Sequence, residues 1–226
     1  TPEWTVKGGI STGYKTPKTT DLYDGITGFG GQGVTPFAGN PDLKPETSVN
    51  SELAVYWNSP QRHSFNATVF HNDFKDKIDN GTATQTCAAT GGVRPCVNFG
   101  EYEGFGYETY SQKINIDKAV IQGLELAGRY QLTPSFGVRG NYTYTDSEQK
   151  TGPRAGYPLT NLSKHMANIS VDWQAMPKLN TFLTTEYRSK RYRGFDSATG
   201  AELYWKGFTQ LHAGASYEIS KNFSIT

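Results

Sequence analysis

Trp4-Thr5-Val6-Lys7-Gly8-Gly9-Ile10-Ser11-Thr12-Gly13-Tyr14-Lys15 changes character at every second residue. In an extended chain Trp4, Val6, Gly8, Ile10, Thr12 and Tyr14 share one face, and Thr5, Lys7, Gly9, Ser11 and Lys15 share the other. One face is apolar and the other wet. The pattern returns in Leu53, Val55 and Trp57 against Glu52 and Asn58, and in Phe65, Ala67 and Val69 against Ser64, Asn66 and Thr68. It returns again in Leu124, Leu126, Tyr130 and Leu132 against Glu125, Arg129 and Gln131, and in Phe136, Val138, Tyr142 and Tyr144 against Arg139, Asn141 and Thr143. Ile169, Val171 and Trp173 oppose Asn168, Ser170, Asp172 and Gln174; Leu211, Ala213, Ala215, Tyr217 and Ile219 oppose Gln210, His212, Ser216 and Glu218. Between Asn180 and Arg188 the faces stay unassigned, because Phe182 and Leu183 are adjacent. The count is about eight strands, with a ninth starting at Asn222.

Composition agrees with an all-β chain. Among 226 residues are 25 Gly, 14 Tyr and 12 Phe, while alanine and leucine runs suited to long helices are absent. Mean hydropathy is -0.60, and no stretch nears the roughly 18 consecutive apolar residues of a spanning helix. That excludes membrane helices but not a membrane barrel, whose strands need apolar residues only at alternate positions. Basic (22) and acidic (21) residues are mixed along the chain, so no basic field for nucleic acid exists.

The connections distinguish a barrel from a sandwich. Tight junctions at Ser59-Pro60-Gln61-Arg62, Thr133-Pro134-Ser135, Met176-Pro177-Lys178 and Ser220-Lys221-Asn222 alternate with long segments. The long ones run from Thr16 to Thr47, Asp76 to Lys113, Glu148 to Ser163 and Tyr192 to Tyr204, and are expected to be structureless loops. Short turns at one end and long loops at the other are the habit of outer-membrane barrels, the turns facing the periplasm. Lys7, Glu52, Glu125, Arg129, Arg139, Asp172 and Glu218 on the wet face would be costly in a dry core and cheap in a hydrated lumen. Tyr14, Trp57, Phe136, Tyr144 and Trp173 near strand ends suit an interfacial girdle. The expectation is an antiparallel transmembrane β-barrel segment, an internal piece of a longer protein.

Cys87 and Cys96 enclose a turn-rich spacer, which suits a loop-pinning disulfide in an oxidising compartment; a metal site would need partners that the neighbouring sequence lacks. His63, His71, His165 and His212 are scattered without ligand spacing, and His71 and His212 read as lumen or rim residues. Asp73, Asp76 and Asp79 lack the spacing of a calcium loop. No Gly-x-Ser-x-Gly elbow occurs. No catalytic residue, metal site or cofactor is expected, and the chain is read as a non-enzyme.

Gly39-Asn40-Pro41-Asp42-Leu43-Lys44-Pro45-Glu46-Thr47-Ser48 closes the first long loop and resembles a signature of TonB-dependent outer-membrane receptors. Its two prolines restrict the backbone where the loop enters the wall. Gly13-Tyr14-Lys15-Thr16-Pro17, the run from Phe70 to Ile78, and Val120-Ile121-Gln122-Gly123-Leu124-Glu125 extend the likeness, which is similar to the ferric enterobactin (catecholate) receptors. The resemblance implies a plugged barrel of about 22 strands, of which residues 1–226 would be one part, with plug, N-terminal strands and final strands absent. It also implies bacterial outer-membrane location, siderophore capture by the outer loops and uptake powered by the TonB complex through that plug.

Ferric catecholates are anionic and aromatic, so a receptor needs cations and ring faces that hold them without removing iron. The resemblance and this chemistry nominate Arg94, Tyr102, Phe105, Tyr107 and Tyr110 around the second loop, and Arg154 and Tyr157 in the third. Around the fourth loop they nominate Arg188, Lys190, Arg191, Tyr192, Arg193, Tyr204 and Trp205. For the same cations the alternative is outer-membrane lipid, through lipopolysaccharide phosphate, or plain solvation of the rim. Other whole-protein readings are a haem or other TonB-dependent receptor, a passive porin, or a soluble carbohydrate-binding β-sandwich.

Overall fold

The alternating stretches become strands of one antiparallel wall in the computed structural model. It describes residues 3–28, 36–81, 84–93, 96, 101–102, 105–106, 109–152, 154–196, 199–220 and 223–225, with backbone alone at 101–102 and 105–106. The wall strands are β1 (Trp4–Lys15), β2 (Glu46–Asn58), β3 (Ser64–Asn80), β4 (Thr109–Thr133), β5 (Phe136–Gln149), β6 (His165–Met176), β7 (Leu179–Arg188), β8 (Phe208–Ser220) and β9 (Phe223–Ile225). Each pairs with its neighbours in chain order.

Register turns local alternation into rows that cross the wall. Val6, Val55, Ala67, Leu126, Tyr142, Ala167 and Tyr187 stand opposite one another in succession, and so do Trp4, Trp57 and Phe65. This face is uncovered: Ile10 is 79% exposed and Leu211 68%. Such an apolar surface has lipid as its natural solvent. The opposite rows carry Lys7, Thr68, Glu125 and Arg188, or Arg129, Arg139, Ser170, Thr184 and His212. Their polar groups are joined across strands, as in Arg139 to Asp172 (3.5 Å), Ser170 to Thr184 (2.9 Å) and Asn168 to Asn141 (3.2 Å).

The same register settles β7. Leu183 stands between Val171 and Ala213 in the outward row, while Phe182 stands between Asp172 and Gly214 on the wet side. The Phe182 ring covers Gly214, so closely that a Cβ there would meet it at 2.5 Å. Phe182 is thus an apolar residue in a polar row because its cross-strand neighbour has no side chain.

Three tight junctions form as expected. At the first, Ser59 N–H donates to the His63 carbonyl (2.8 Å) and Arg62 takes φ 66°, the left-handed value that closes the turn. Pro134 and Ser135 join β4 to β5, and Pro177 and Lys178 join β6 to β7, each beside a register shift. The fourth, at 221–222, lies outside the described residues.

The long loops are not structureless. Strand β3 runs on to Asn80 and β4 begins at Thr109, so the pair rises beyond the apolar band. The first loop holds a helical turn, α1 (Thr19–Leu22), and a pair of short strands, Ile26–Gly28 and Phe37–Ala38, the second lying parallel to Ser111 and Gln112 of β4. The second loop carries a helical turn, α2 (Cys87–Thr90), capped by Thr86 Oγ1, which accepts from Ala89 N–H at 3.3 Å. Gly91 and Gly92 follow at φ 65° and 83°, a reversal that L side chains resist. The fourth loop is a hairpin of Arg191–Phe195 with Glu202–Trp205. Period-two reading misses such pieces because two to five residues hold too few alternations to register.

Candidate functional site

The four long segments emerge from the same end of the wall, and two of them interlock there. Leu159 of the third loop, 2% exposed, packs with Ile116, Ala119, Phe74 and Ile121, and its N–H donates to Ser147 Oγ (3.1 Å). Asn161 N–H donates to the Tyr192 carbonyl (2.9 Å), and Ser163 bridges to Arg191, which ties the third loop to the fourth.

Aromatic rings fill the junction. Tyr157 stacks on Tyr192 with centroids 6.0 Å apart and lies 6.2 Å from Phe195; Tyr204 meets Tyr192 edge-on at 5.8 Å. Cations lie over these rings: Arg154 over Phe195 (5.5 Å), Lys190 over Tyr204 (3.9 Å) and Arg193 over Trp205 (4.6 Å). Among the described residues neither Arg154, Lys190 nor Arg193 makes an ion pair. Their charge is held in place by rings and is left unneutralised.

Alternation within Arg-Tyr-Arg-Gly-Phe decides which residues can be reached. Tyr192 and Gly194 are buried while Arg193 is exposed. Tyr192 is 2% exposed and its hydroxyl has no partner among the described residues, so it supports the ring stack from beneath and does not present a face to ligand. Burial pushes this phenol above its ordinary range, with Arg154 acting the other way. The Tyr204 phenol is also raised, chiefly by its hydrogen bond to the Glu202 carboxylate. Nearby, Lys164 lies 3.2 Å from Asp146, which raises the ammonium above the usual lysine range.

Tyr110 also departs from expectation. It is fully buried in β4, paired with Thr84 and packed against Ala38 beside Ile26. Because β4 starts earlier than the alternation suggested, Tyr110 belongs to a wall strand flanked on both sides and cannot touch a ligand. Arg188 ends β7 on the wet face, bonded through Nε to Glu186 (2.8 Å) and 5.8 Å from the Phe208 centroid. Arg191 is half-buried opposite Trp205. Arg94 and Tyr107 lie outside the described residues, as do the side chains of Tyr102 and Phe105. Cys87 and Cys96 are joined in a disulfide with Cα atoms 4.8 Å apart.

Phe195 was not anticipated, although its place two residues beyond Arg193 on the same face was the available signal. Nor was a polar clasp in the first loop. Glu46, 7% exposed, receives Lys15 (3.6 Å), Lys77 (3.5 Å) and the Ile78 N–H (3.0 Å). Asn115 of β4 accepts from Lys44 N–H (2.8 Å) and donates to the carbonyls of Lys44 (2.9 Å) and Asp76 (2.7 Å). Gln112 donates to the Gly39 carbonyl (2.7 Å), and Asn40 to that of Lys113 (2.9 Å). The segment from Gly39 to Glu46 is thereby stitched to β3 and β4.

A single-layer antiparallel wall with one apolar face, tight turns at one end and an aromatic, cationic mouth at the other defines a membrane β-barrel of receptor type. The chain belongs to the TonB dependent receptor-like, beta-barrel family, which matches residues 1–226. This places it in the bacterial outer membrane and excludes a soluble sandwich.

It is 35% identical to the iron-regulated outer membrane virulence protein of Vibrio cholerae serotype O1, over 99% of this chain and 32% of that protein. It is 31% identical to a ferric enterobactin receptor of Pseudomonas aeruginosa, over 98% of this chain and 30% of the relative. The chain therefore spans about a third of the length of these relatives. A variant of the Pseudomonas aeruginosa ferric enterobactin receptor in complex with enterobactin superposes with TM-score 0.70 at 25% identity, covering 99% of this chain and 32% of that one.

Proposed function

We propose that this chain forms part of the wall and outer mouth of a receptor that captures a ferric siderophore of the catecholate class and imports it with energy from TonB. The observation that carries the reading is the set of unneutralised cations over rings, Arg154 on Phe195, Lys190 on Tyr204 and Arg193 on Trp205. A ferric catecholate is a compact anion with aromatic edges. Cations fixed over rings meet its charge, and the rings offer it stacking surface, without a ligand that competes for iron. Convergent positive charge also raises the encounter rate of an anion at the mouth. The names of the relatives, two of which refer to ferric enterobactin, support the same class. On this reading the chain binds and passes a cargo, with no bond made or broken by its side chains.

The test is tryptophan fluorescence of the complete receptor titrated with ferric enterobactin, a ferric hydroxamate and haem. Trp205 lies under Arg193 and should report occupancy. Saturable quenching by the catecholate alone is the expected result. Preference for haem or the hydroxamate would overturn the ligand class while leaving the barrel intact.

A further inference from the structure

The wet face is hollowed near the tight turns. A cavity of about 410 Å³ opens there, lined in part by Arg129, Arg139, Asp172, Phe182 and Ser216. Register explains the hollow. Gln131, Gly137, Asp172, Phe182 and Gly214 stand opposite one another from β4 to β8, so two positions of one row carry no side chain. In the next row toward the mouth Arg129 and Arg139 stand directly opposite. Ten residues of β5 separate Arg139 from Gln149, about 33 Å of strand, so a cargo held by Arg154 and Arg193 does not reach this cavity.

Two guanidinium groups opposed on adjacent strands repel, and the fold answers only one of them. Arg139 Nε lies 3.5 Å from Asp172, with both side chains half-exposed, a pair that water weakens. Arg129 makes no ion pair among the described residues. The neighbouring amides turn away: Gln131 and Gln174 donate to the carbonyls of Thr133 (2.8 Å) and Pro177 (3.2 Å) at the turns. Phe182 adds a ring to an otherwise polar row on the same side. The cavity therefore repeats the chemistry of the mouth, cations together with an aromatic face, and adds one carboxylate.

We propose that Arg129, Arg139 and Phe182 form a second station for the ferric catecholate inside the lumen, which the cargo occupies after it leaves the mouth. The inference rests on the catecholate reading of the mouth and adds a site to it. A passing cargo must be held strongly enough to enter a station and weakly enough to leave it. Asp172 supplies that balance, because its carboxylate competes with the anionic cargo for Arg139 and returns to it once the cargo has gone. Arg129 has no such competitor among the described residues and is the group that draws the anion in.

The experiment measures TonB-driven uptake of radioiron-labelled ferric enterobactin by cells carrying the complete receptor, beside fluorescence titration of its mouth. Arg129→Gln with Arg139→Gln should lower the maximal uptake rate about ten-fold, the worth of a lost charge-assisted hydrogen bond. The concentration for half-maximal uptake and the quenching at the mouth should stay at parental values. The matching Arg→Lys pair, which keeps the charge, should recover most of the rate, and Phe182→Leu should show a smaller loss. Heat-modifiable mobility reports folding; where the glutamine pair does not fold, Arg129→Gln alone must still slow uptake. Parental uptake by the glutamine variants, or equal losses in the glutamine and lysine pairs, would overturn the station. Leakage of neutral solutes without TonB would assign the arginines to holding whatever fills the lumen, and would overturn it as well. Failure of the parent to bind ferric enterobactin would sink the catecholate reading and this station with it, and the titration alone tells the two failures apart.

Discussion

Around Glu46 a single buried carboxylate gathers two ammonium groups and a backbone N–H, whereas between Arg154 and Trp205 three cations rest on rings without, among the described residues, a carboxylate within ion-pair distance. Both regions crown the same end of the wall. The first satisfies its polar groups internally and so has nothing left to offer a ligand. The second, among the described residues, holds its charge against rings and not against carboxylates, the arrangement on which the proposed anion site rests. On the proposed reading, anchoring at this mouth belongs to the first loop and recognition to the third and fourth.

Breaking the clasp should have the largest effect. Glu46→Ala strands Lys77 and the Ile78 N–H, and is expected to cost about 2–4 kcal/mol, the low end applying because Lys15 remains mostly hydrated. Urea unfolding of the complete receptor measures it; stability within 0.5 kcal/mol or so of the parent would remove the clasp from the account. Asn115→Ala deletes two hydrogen bonds to Lys44 and one to Asp76 and should cost about 1–2 kcal/mol, with faster proteolysis of the first loop and little change in siderophore affinity.

The mouth should respond the other way. Arg154→Ala with Arg193→Ala should weaken ferric catecholate binding at least about ten-fold while leaving unfolding nearly unchanged. Equal losses of stability and binding would erase the distinction between the two regions.

Tyr192→Phe sharpens it further. The hydroxyl is buried without a partner among the described residues, so its removal should be neutral or stabilising by up to about 1 kcal/mol. The raised phenol sets a sign as well. In the opened loop Tyr192 ionises near 10.0, whereas in the closed loop it keeps its proton to higher pH. The open form then binds fewer protons, so closed-loop stability should fall as pH rises from about that value toward the raised one. Tyrosinate absorbance with and without Tyr192→Phe tests this; an early titration of Tyr192 in the folded protein would contradict its burial. The smallest expected effect belongs to Arg62→Gly, where relief of a positive φ should add about 0.5 kcal/mol, offset in part by glycine's freedom in the unfolded chain.

Much of the wall is legible in the sequence alone. Trp4 to Lys15, Phe136 to Tyr144 and Leu211 to Ile219 state their faces outright, and Pro60, Pro134 and Pro177 mark turns. The mouth was legible in part: Arg154, Tyr157, Arg193, Tyr204 and Trp205 do converge, while Tyr110 and Tyr192 turned out to be interior. Composition says that a loop is rich in tyrosine and arginine, but not which tyrosine the others will cover. Where the pattern was ambiguous, as at Phe182 and Leu183, only pairing to Asp172, Val171, Gly214 and Ala213 separated the faces.

What this sequence determined by itself was the alternation, the punctuation and hence a membrane wall with one lipid face, because strand geometry repeats every two residues and needs no distant partner. What the tertiary structure decided was every meeting of remote residues: Lys44 with Asn115, 71 positions on, Tyr157 with Tyr192, and Lys75 with Lys118. Those depend on register and loop packing, which are properties of the assembled sheet and not of any one strand.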